Sequence, residues 1–166
     1  MVISYTYREA APLRPERFVT QKIIRAAARI SQGSREKLQL GNIDILRDWG
    51  WSPDYVDAMW RMLQQEKADD FVIATGRTES LKYFVARAFV FFGLNWQDHV
   101  SIVEDLYRPS DIGTSRANPA KARDILGWSA PTDIDEVIRK MCVAAEVMGR
   151  QLQTKNILIQ SSISTF

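Results

Sequence analysis

From Phe18 to Gly33 the apolar positions Ile23, Ile24, Ala27 and Ile30 fall three or four residues apart, the spacing of one helical face, and Gly33 is a natural stop. The spacing predicts a helix with one buried side. Lys37 to Gly41 reads as a short extended segment. After a loop, Ser52-Pro53 supplies an N-cap residue followed by proline at the first helical position, which predicts a helix from Pro53 to about Gln65. Asp70 to Thr75 is a compact apolar run closed by Gly76, the pattern of a buried strand. Ser80 can cap the next helix, which carries Phe84, Val85, Ala88 and Phe92 to Gly93. Val100 to Val103 is a further extended stretch. Asn118-Pro119 repeats the cap-and-proline signal before a short helix, Lys121 to Leu126, ended by Gly127. Thr132 with Asp135 forms an acidic variant of the capping box and opens the last helix, Ile134 to Gly149. From Gln151 onward the chain is polar around an isolated Ile157-Leu158-Ile159, and a loose tail and an added edge strand both fit it. Helices alternate with short strands and no repeat or low-complexity linker interrupts them, so one α/β domain is the simplest organisation.

Composition narrows the class. With 46% hydrophobic and 25% charged residues in 166, the chain matches an ordinary soluble domain. That length is enough for one core, whereas a dinucleotide-binding enzyme with a separate substrate region needs roughly twice as much. Lysine and arginine number 22 against 20 acidic residues. The net charge of +2 gives no general field for nucleic acid or membrane, so neither is expected as a partner. The start lacks a charged n-region ahead of a long apolar stretch, and the greasiest segment, Phe84 to Leu94, is broken by Arg87, so no signal peptide or span is expected. Cys142 has no second cysteine to pair with and sits among Ile138, Met141 and Val143, which fits a buried thiol in a reduced, cytoplasmic setting.

Several catalytic patterns are missing. The glycines at 33, 41, 50, 76, 93, 113, 127 and 149 never approach the close spacing of a phosphate-cradling loop. Four residues after Tyr5, Tyr7, Tyr55, Tyr83 and Tyr107 stand Glu9, Ala11, Met59, Arg87 and Asp111, so the tyrosine–lysine pair of a short-chain dehydrogenase is absent. One histidine, His99, supports no zinc cluster and reads as a surface loop residue. Positive charge gathers between residues 8 and 37, with eight basic residues against three acidic. There Lys22, Arg25 and Arg29 share a helical stripe opposite Ile23, Ala27 and Ile30. A solvated face accounts best for Arg25 and Arg29, whereas Lys22 lies near the helix start, where open backbone N–H groups help hold an anion.

Two loops can serve a ligand. Leu40 to Gly50 holds Gly41, which permits close backbone approach, Asn42, which can read a base edge, and Arg47, a fork matched to phosphate; a turn stabilised by Arg47 and Asp48 fits equally. Tyr107-Arg108-Pro109-Ser110-Asp111 offers an arginine for phosphate and a carboxylate for ribose hydroxyls, or a plain surface ion pair.

Pro12-Leu13-Arg14-Pro15-Glu16-Arg17-Phe18-Val19-Thr20-Gln21-Lys22, Leu40-Gly41-Asn42 with Arg47-Asp48-Trp49-Gly50, and Phe71 to Gly76 occur in that order. Tyr107-Arg108-Pro109, Asn118-Pro119-Ala120-Lys121-Ala122 and Leu126-Gly127-Trp128 follow them. As a set these resemble the C-terminal portion of GDP-mannose 4,6-dehydratases, extended short-chain dehydrogenases of the NAD-dependent epimerase/dehydratase family, over Pro12 to Gly149.

The resemblance implies a helix-rich α/β substrate-binding part with a few short strands that lacks most of the Rossmann domain. It divides the chain into a divergent segment 1–11, a nucleotide-sugar-binding region 12–150 and a polar tail 151–166. The family converts GDP-mannose to GDP-4-keto-6-deoxymannose with NADP, a cofactor this chain alone is not expected to hold. By resemblance Val19 and Lys22 meet the substrate nucleotide and phosphates. Leu40, Gly41 and Asn42 form the guanine-side pocket, Arg47 faces the pyrophosphate, Arg108 and Asp111 the ribose and phosphate, and Arg14 the cofactor. No catalytic residue and no metal ligand is carried over. Arg8-Glu9-Ala10-Ala11 departs from the family's asparagine-histidine-glutamate-serine, Gln21 from an arginine, Trp51 from a histidine and Asp111 from a glutamate. The expected partner is GDP-mannose or a related GDP-sugar, with a homo-oligomer or a missing N-terminal half as further partners.

Overall fold

The computed structural model describes the backbone of residues 4–6, 9–107 and 112–163 and the side chains of 10–107 and 112–151. Three helices carry the main core. Helix α1 (Val19–Ser31) buries Ile23, Ile24, Ala27 and Ile30, as the spacing requires, and the chain turns away at Gly33, whose φ of 98° suits glycine. Helix α3 (Leu81–Phe91) begins at Ser80, whose hydroxyl accepts the Tyr83 N–H at 3.0 Å, and buries Phe84, Val85, Ala88 and Phe89. Helix α5 (Ile134–Ile163) supplies Val137, Ile138, Met141 and Cys142. The three pack pairwise, and against them lie β3 (Leu38–Leu40) and β8 (Val100–Ile102), paired in parallel. Fully burying each of the valine, isoleucine, phenylalanine and methionine side chains among them contributes about 1.5–3 kcal/mol, which is why these positions hold the sheaf together.

A second, smaller core lies under α2 (Ser52–Leu63). Its residues Tyr55, Ala58 and Met62 meet Phe71 and Ile73 of β6 (Phe71–Ile73), Ala122 and Leu126 of α4 (Ala120–Leu126), and Trp128. The Trp128 indole donates to the Asp54 carbonyl at 3.1 Å and meets Tyr55 edge-on. Gly127 ends α4 in the left-handed region, which lets Trp128 turn into this core.

The strands are short, and among the described residues they form four two-stranded ladders. Strand β1 (Ser4–Thr6) runs parallel to β6, and β2 (Glu9–Ala10) parallel to β5 (Gly50–Trp51). Strand β4 (Leu46–Asp48) is antiparallel to β7 (Thr78–Ser80).

Several expectations are corrected. The last helix does not stop at Gly149 and the tail is neither loose nor a strand, because α5 continues through Ile163. Gly149 is not among the glycines with positive φ, so it does not break the helix, and no proline follows to end propagation. Ser52 does not cap α2; its hydroxyl lies 3.5 Å from the Ala10 carbonyl, and Trp51 takes the cap position. The cap of α5 is Asp133 rather than Thr132. The Thr132 N–H is already committed to the Asp54 carboxylate at 3.1 Å, and Asp133 accepts the Glu136 N–H at 2.9 Å. His99 is half-buried, its ring stacked on Phe89 and its carbonyl accepting from Leu38. Cys142, by contrast, is fully buried as expected, and desolvation pushes its thiol up to about 12, so it stays protonated.

Candidate functional site

The amine of Lys22, one turn into α1, donates to the Gln39 carbonyl of β3 at 2.7 Å. This ties the start of α1 to the strand that leads into Leu40-Gly41-Asn42. Helix α1 has no side-chain cap and no acidic residue in its first turn, so its opening N–H groups and Lys22 present one sign of charge. Val19, the first residue of the helix, is half-buried against the main core. Arg14, just upstream, stacks its guanidinium over the Phe18 ring at 3.8 Å.

Leu40 is buried, and its carbonyl accepts the Val103 N–H at 2.8 Å. At Gly41 the backbone of Leu106 lies so close that a Cβ would come within 2.7 Å of its carbonyl oxygen, so the glycine is needed for that approach. Asn42 closes a tight turn, its Oδ1 accepting the Asp44 N–H at 2.9 Å, which leaves the NH2 end to meet an acceptor. The chain then places Ile43 and Ile45 carbonyls against the first N–H groups of α3.

Consecutive residues of β4 point to opposite faces, and this separates Arg47 from Asp48. Arg47, only 4% exposed, reaches the Leu46 carbonyl at 2.8 Å and the Gly113 carbonyl at 3.4 Å. Leu46 also bridges to Thr114 and exchanges hydrogen bonds with Gly113 and Ser115. Val103, which follows β8, is thus tied to β3, and Gly113 to Ser115 lie beside β4. Arg108 and Asp111 fall between these anchors and lie outside the described residues. Asp48 is fully buried on the other face, where its carboxylate accepts the Thr75 N–H at 3.0 Å and the Gly76 N–H at 2.8 Å. Burial drives its pKa up, and these backbone bonds act against that shift. Its part is to fix the turn after β6, and Trp49 supports it by donating to the Glu79 carbonyl at 3.0 Å.

The structure ties Lys22 to β3 and sets Gly41 against Leu106, and separately sets Arg47 against Gly113; the sequence reading did not single out Leu106 or Gly113. The sequence signal for Gly113 was a lone glycine after a proline-stiffened loop. Of the other basic residues, Arg29 is engaged by Glu36 at 2.7 Å and Glu16 at 2.8 Å, and Glu36 is the larger cause of its raised pKa. Arg25 donates from Nε to Gln21 and lies 3.9 Å from Glu16. Tyr83 and Arg87, four residues apart on α3, both bind the Asp135 carboxylate. Burial and then Asp135 raise the tyrosine pKa, which holds the phenol protonated and unsuited to act as a base. Among the described residues no cluster of three metal-binding side chains forms, and no helix is long and apolar enough to cross a membrane.

With these loops in view, the family whose sequence profile is described as GDP-mannose 4,6 dehydratase matches residues 1–141, and the chain belongs to that family. The match takes in the divergent first eleven residues as well. GDP-mannose 4,6 dehydratase 1 of Arabidopsis thaliana is 44% identical over 135 residues, covering 81% of this chain and 37% of that protein. GDP-mannose 4,6 dehydratase 2 of Caenorhabditis elegans is 40% identical over 157 residues, covering 85% and 41%. The human GDP-mannose 4,6 dehydratase is 36% identical over 152 residues, covering 81% and 41%. The chain therefore spans about two fifths of the length of these relatives. Among solved structures, RMD from Pseudomonas aeruginosa complexed with NADPH superposes with a TM-score of 0.79 at 21% identity, covering 89% of this chain and 48% of that one. The dTDP-glucose 4,6-dehydratase of Bacillus anthracis in complex with NAD gives 0.76 at 14% identity, covering 87% and 44%. These likenesses show the fold, a helix-rich α/β arrangement shared with less than half of each of those chains.

Proposed function

We propose that this chain is the GDP-sugar-binding part of a GDP-mannose 4,6-dehydratase and that, by itself, it holds GDP-mannose or a related GDP-sugar without turning it over. Val19 and Lys22 approach the nucleotide and its phosphates. Leu40, Gly41 and Asn42 line the guanine side, Arg47 meets the pyrophosphate, Arg108 and Asp111 meet the phosphate and ribose, and Arg14 keeps its role toward the cofactor of a complete enzyme. The observation that carries the reading is the set of contacts that ties Lys22 to β3, Gly41 to Leu106 and Arg47 to Gly113. In this reading Lys22 is held at β3 and Arg47 at Gly113, two cations available to a phosphate. NADP belongs in this reading to the part of its relatives that this chain does not match, since the close-spaced glycines and the tyrosine–lysine pair are not in this sequence.

Calorimetry of the purified chain with GDP-mannose, GDP and NADP tests it, alongside an assay for the 4-keto product. GDP-mannose and GDP should bind, Lys22→Ala and Arg47→Ala should each weaken both by about tenfold, and NADP should give no heat. NADP binding or product formation by the chain alone would overturn the account. Absence of any GDP-sugar binding would reduce the site to ancestry.

A further inference from the structure

Helices α1 and α5 pack together with mismatched faces. Along α1, Gln21, Arg25, Ala28 and Gln32 stand four, three and four residues apart and so share one stripe, and it is largely polar. The facing wall of α5 is apolar at Met141, Ala145 and Met148 and ends on Gly149 and Gln151. Between the two stripes lies an open-sided cleft of about 580 Å³, within the range of small-molecule sites. The Gln21 amide is buried and fixed, donating to the Ala11 and Pro12 carbonyls and accepting from Arg25 Nε. This anchors the root of the Arg25 guanidinium. Its terminal nitrogens hold only the 3.9 Å approach to Glu16, too long for a hydrogen bond, so the fork keeps donors for a closer anion. At the far end Gly149 admits the Gln32 amide, since a Cβ there would sit 3.1 Å from its nitrogen. The methionines add a polarizable surface that adapts to an irregular apolar body.

We propose that this cleft binds an amphiphilic monoanion, a carboxylate or sulfonate whose apolar body lies along Met141, Ala145 and Met148 and whose head meets Arg25. The proposal is independent of the GDP-sugar reading, because the cleft lies on the α5 side of α1 and uses none of the residues assigned to the nucleotide.

Titration calorimetry of the full chain with sodium octanoate and with its neutral counterpart 1-octanol tests it. Octanoate should bind saturably, and Arg25→Gln should weaken it by about tenfold while leaving octanol unchanged. Ala145→Phe, which fills the cleft, should abolish both; if that variant does not fold, the octanoate–octanol contrast in Arg25→Gln still decides. Saturating GDP-mannose should not compete. No saturable octanoate binding, equal affinity for octanol with no effect of Arg25→Gln, or competition by GDP-mannose would each overturn the proposal. So would a dimer broken by Ala145→Phe in a chain that takes up no octanoate, since a second copy would then fill the cleft.

Discussion

Single residues govern how closely this backbone can fold on itself. Gly50 is the sharpest case: a Cβ there would overlap the hydroxyl of Tyr55, which is fully buried and cannot swing away. Gly50→Ala should cost about 1–3 kcal/mol in urea unfolding, as overpacking does. Gly113→Ala, with open space around it, serves as the contrast and should cost little by comparison. Asp48 predicts a pH effect of definite sign. Burial raises its pKa in the folded chain, so the folded state holds the proton more tightly than the unfolded one. Its contribution to stability is therefore complete below the ordinary carboxylate value and is lost as pH rises through the raised one. Exposed carboxylates such as Asp69 and Glu136 are shifted down, by Lys121 and Arg139 respectively, and act in the opposite sense. The effect is thus read as the difference between the native chain and Asp48→Asn, unfolded in denaturant across acidic pH. That difference should shrink as pH rises. A difference that stays flat would mean Asp48 is ionised without penalty.

At the scale of elements, the cap of α5 makes the next prediction. Asp133→Ala should lower stability by about 1 kcal/mol because the Glu136 N–H loses its acceptor, whereas Asp135→Asn, touching a half-exposed ion pair, should cost less. Thermal unfolding of the two variants compares them directly, and the reverse order would return the cap to Thr132. The same region shows what a sequence can disclose. Ile23, Ile24, Ala27 and Ile30 declare α1 by spacing alone, and Ser80 and Gly127 announce the start of α3 and the end of α4. Strands β4 and β7 are three residues each, too short for alternation to register, and their pairing joins Asp48 to Thr78 across an entire helix. Thr132 and Asp133 are equally good caps on paper; the choice between them is made by Asp54, far away in the chain. The candidate site was legible as motifs in Lys22, Leu40 to Asn42 and Arg47. What could not be read was that Asp48 turns away from Arg47 to hold Thr75 and Gly76, because that partnership exists only once the turn after β6 is folded against β4.

At the scale of the whole molecule, the outer face of α2 carries Val56, Trp60 and Leu63 in one exposed stripe, and Val143 and Val147 stand exposed on α5. Apolar surface of this kind predicts self-association: light scattering should show a mass that grows with concentration, and Trp60→Ser with Leu63→Lys should suppress it. A mass that stays monomeric at every concentration would mean the fold tolerates these faces in water. The ladders carry a different implication, one about time. Ser4 pairs with Phe71 and Leu38 with Val100, so no early strand has its neighbour close behind it in the chain. Parallel partners so distant make loop closure slow and leave little for a growing chain to secure on its own. The β1–β6 ladder can form only after β6 has emerged from the ribosome. Chaperone demand should accordingly be concentrated in the interval between synthesis of β1 and β3 and synthesis of β6 and β8.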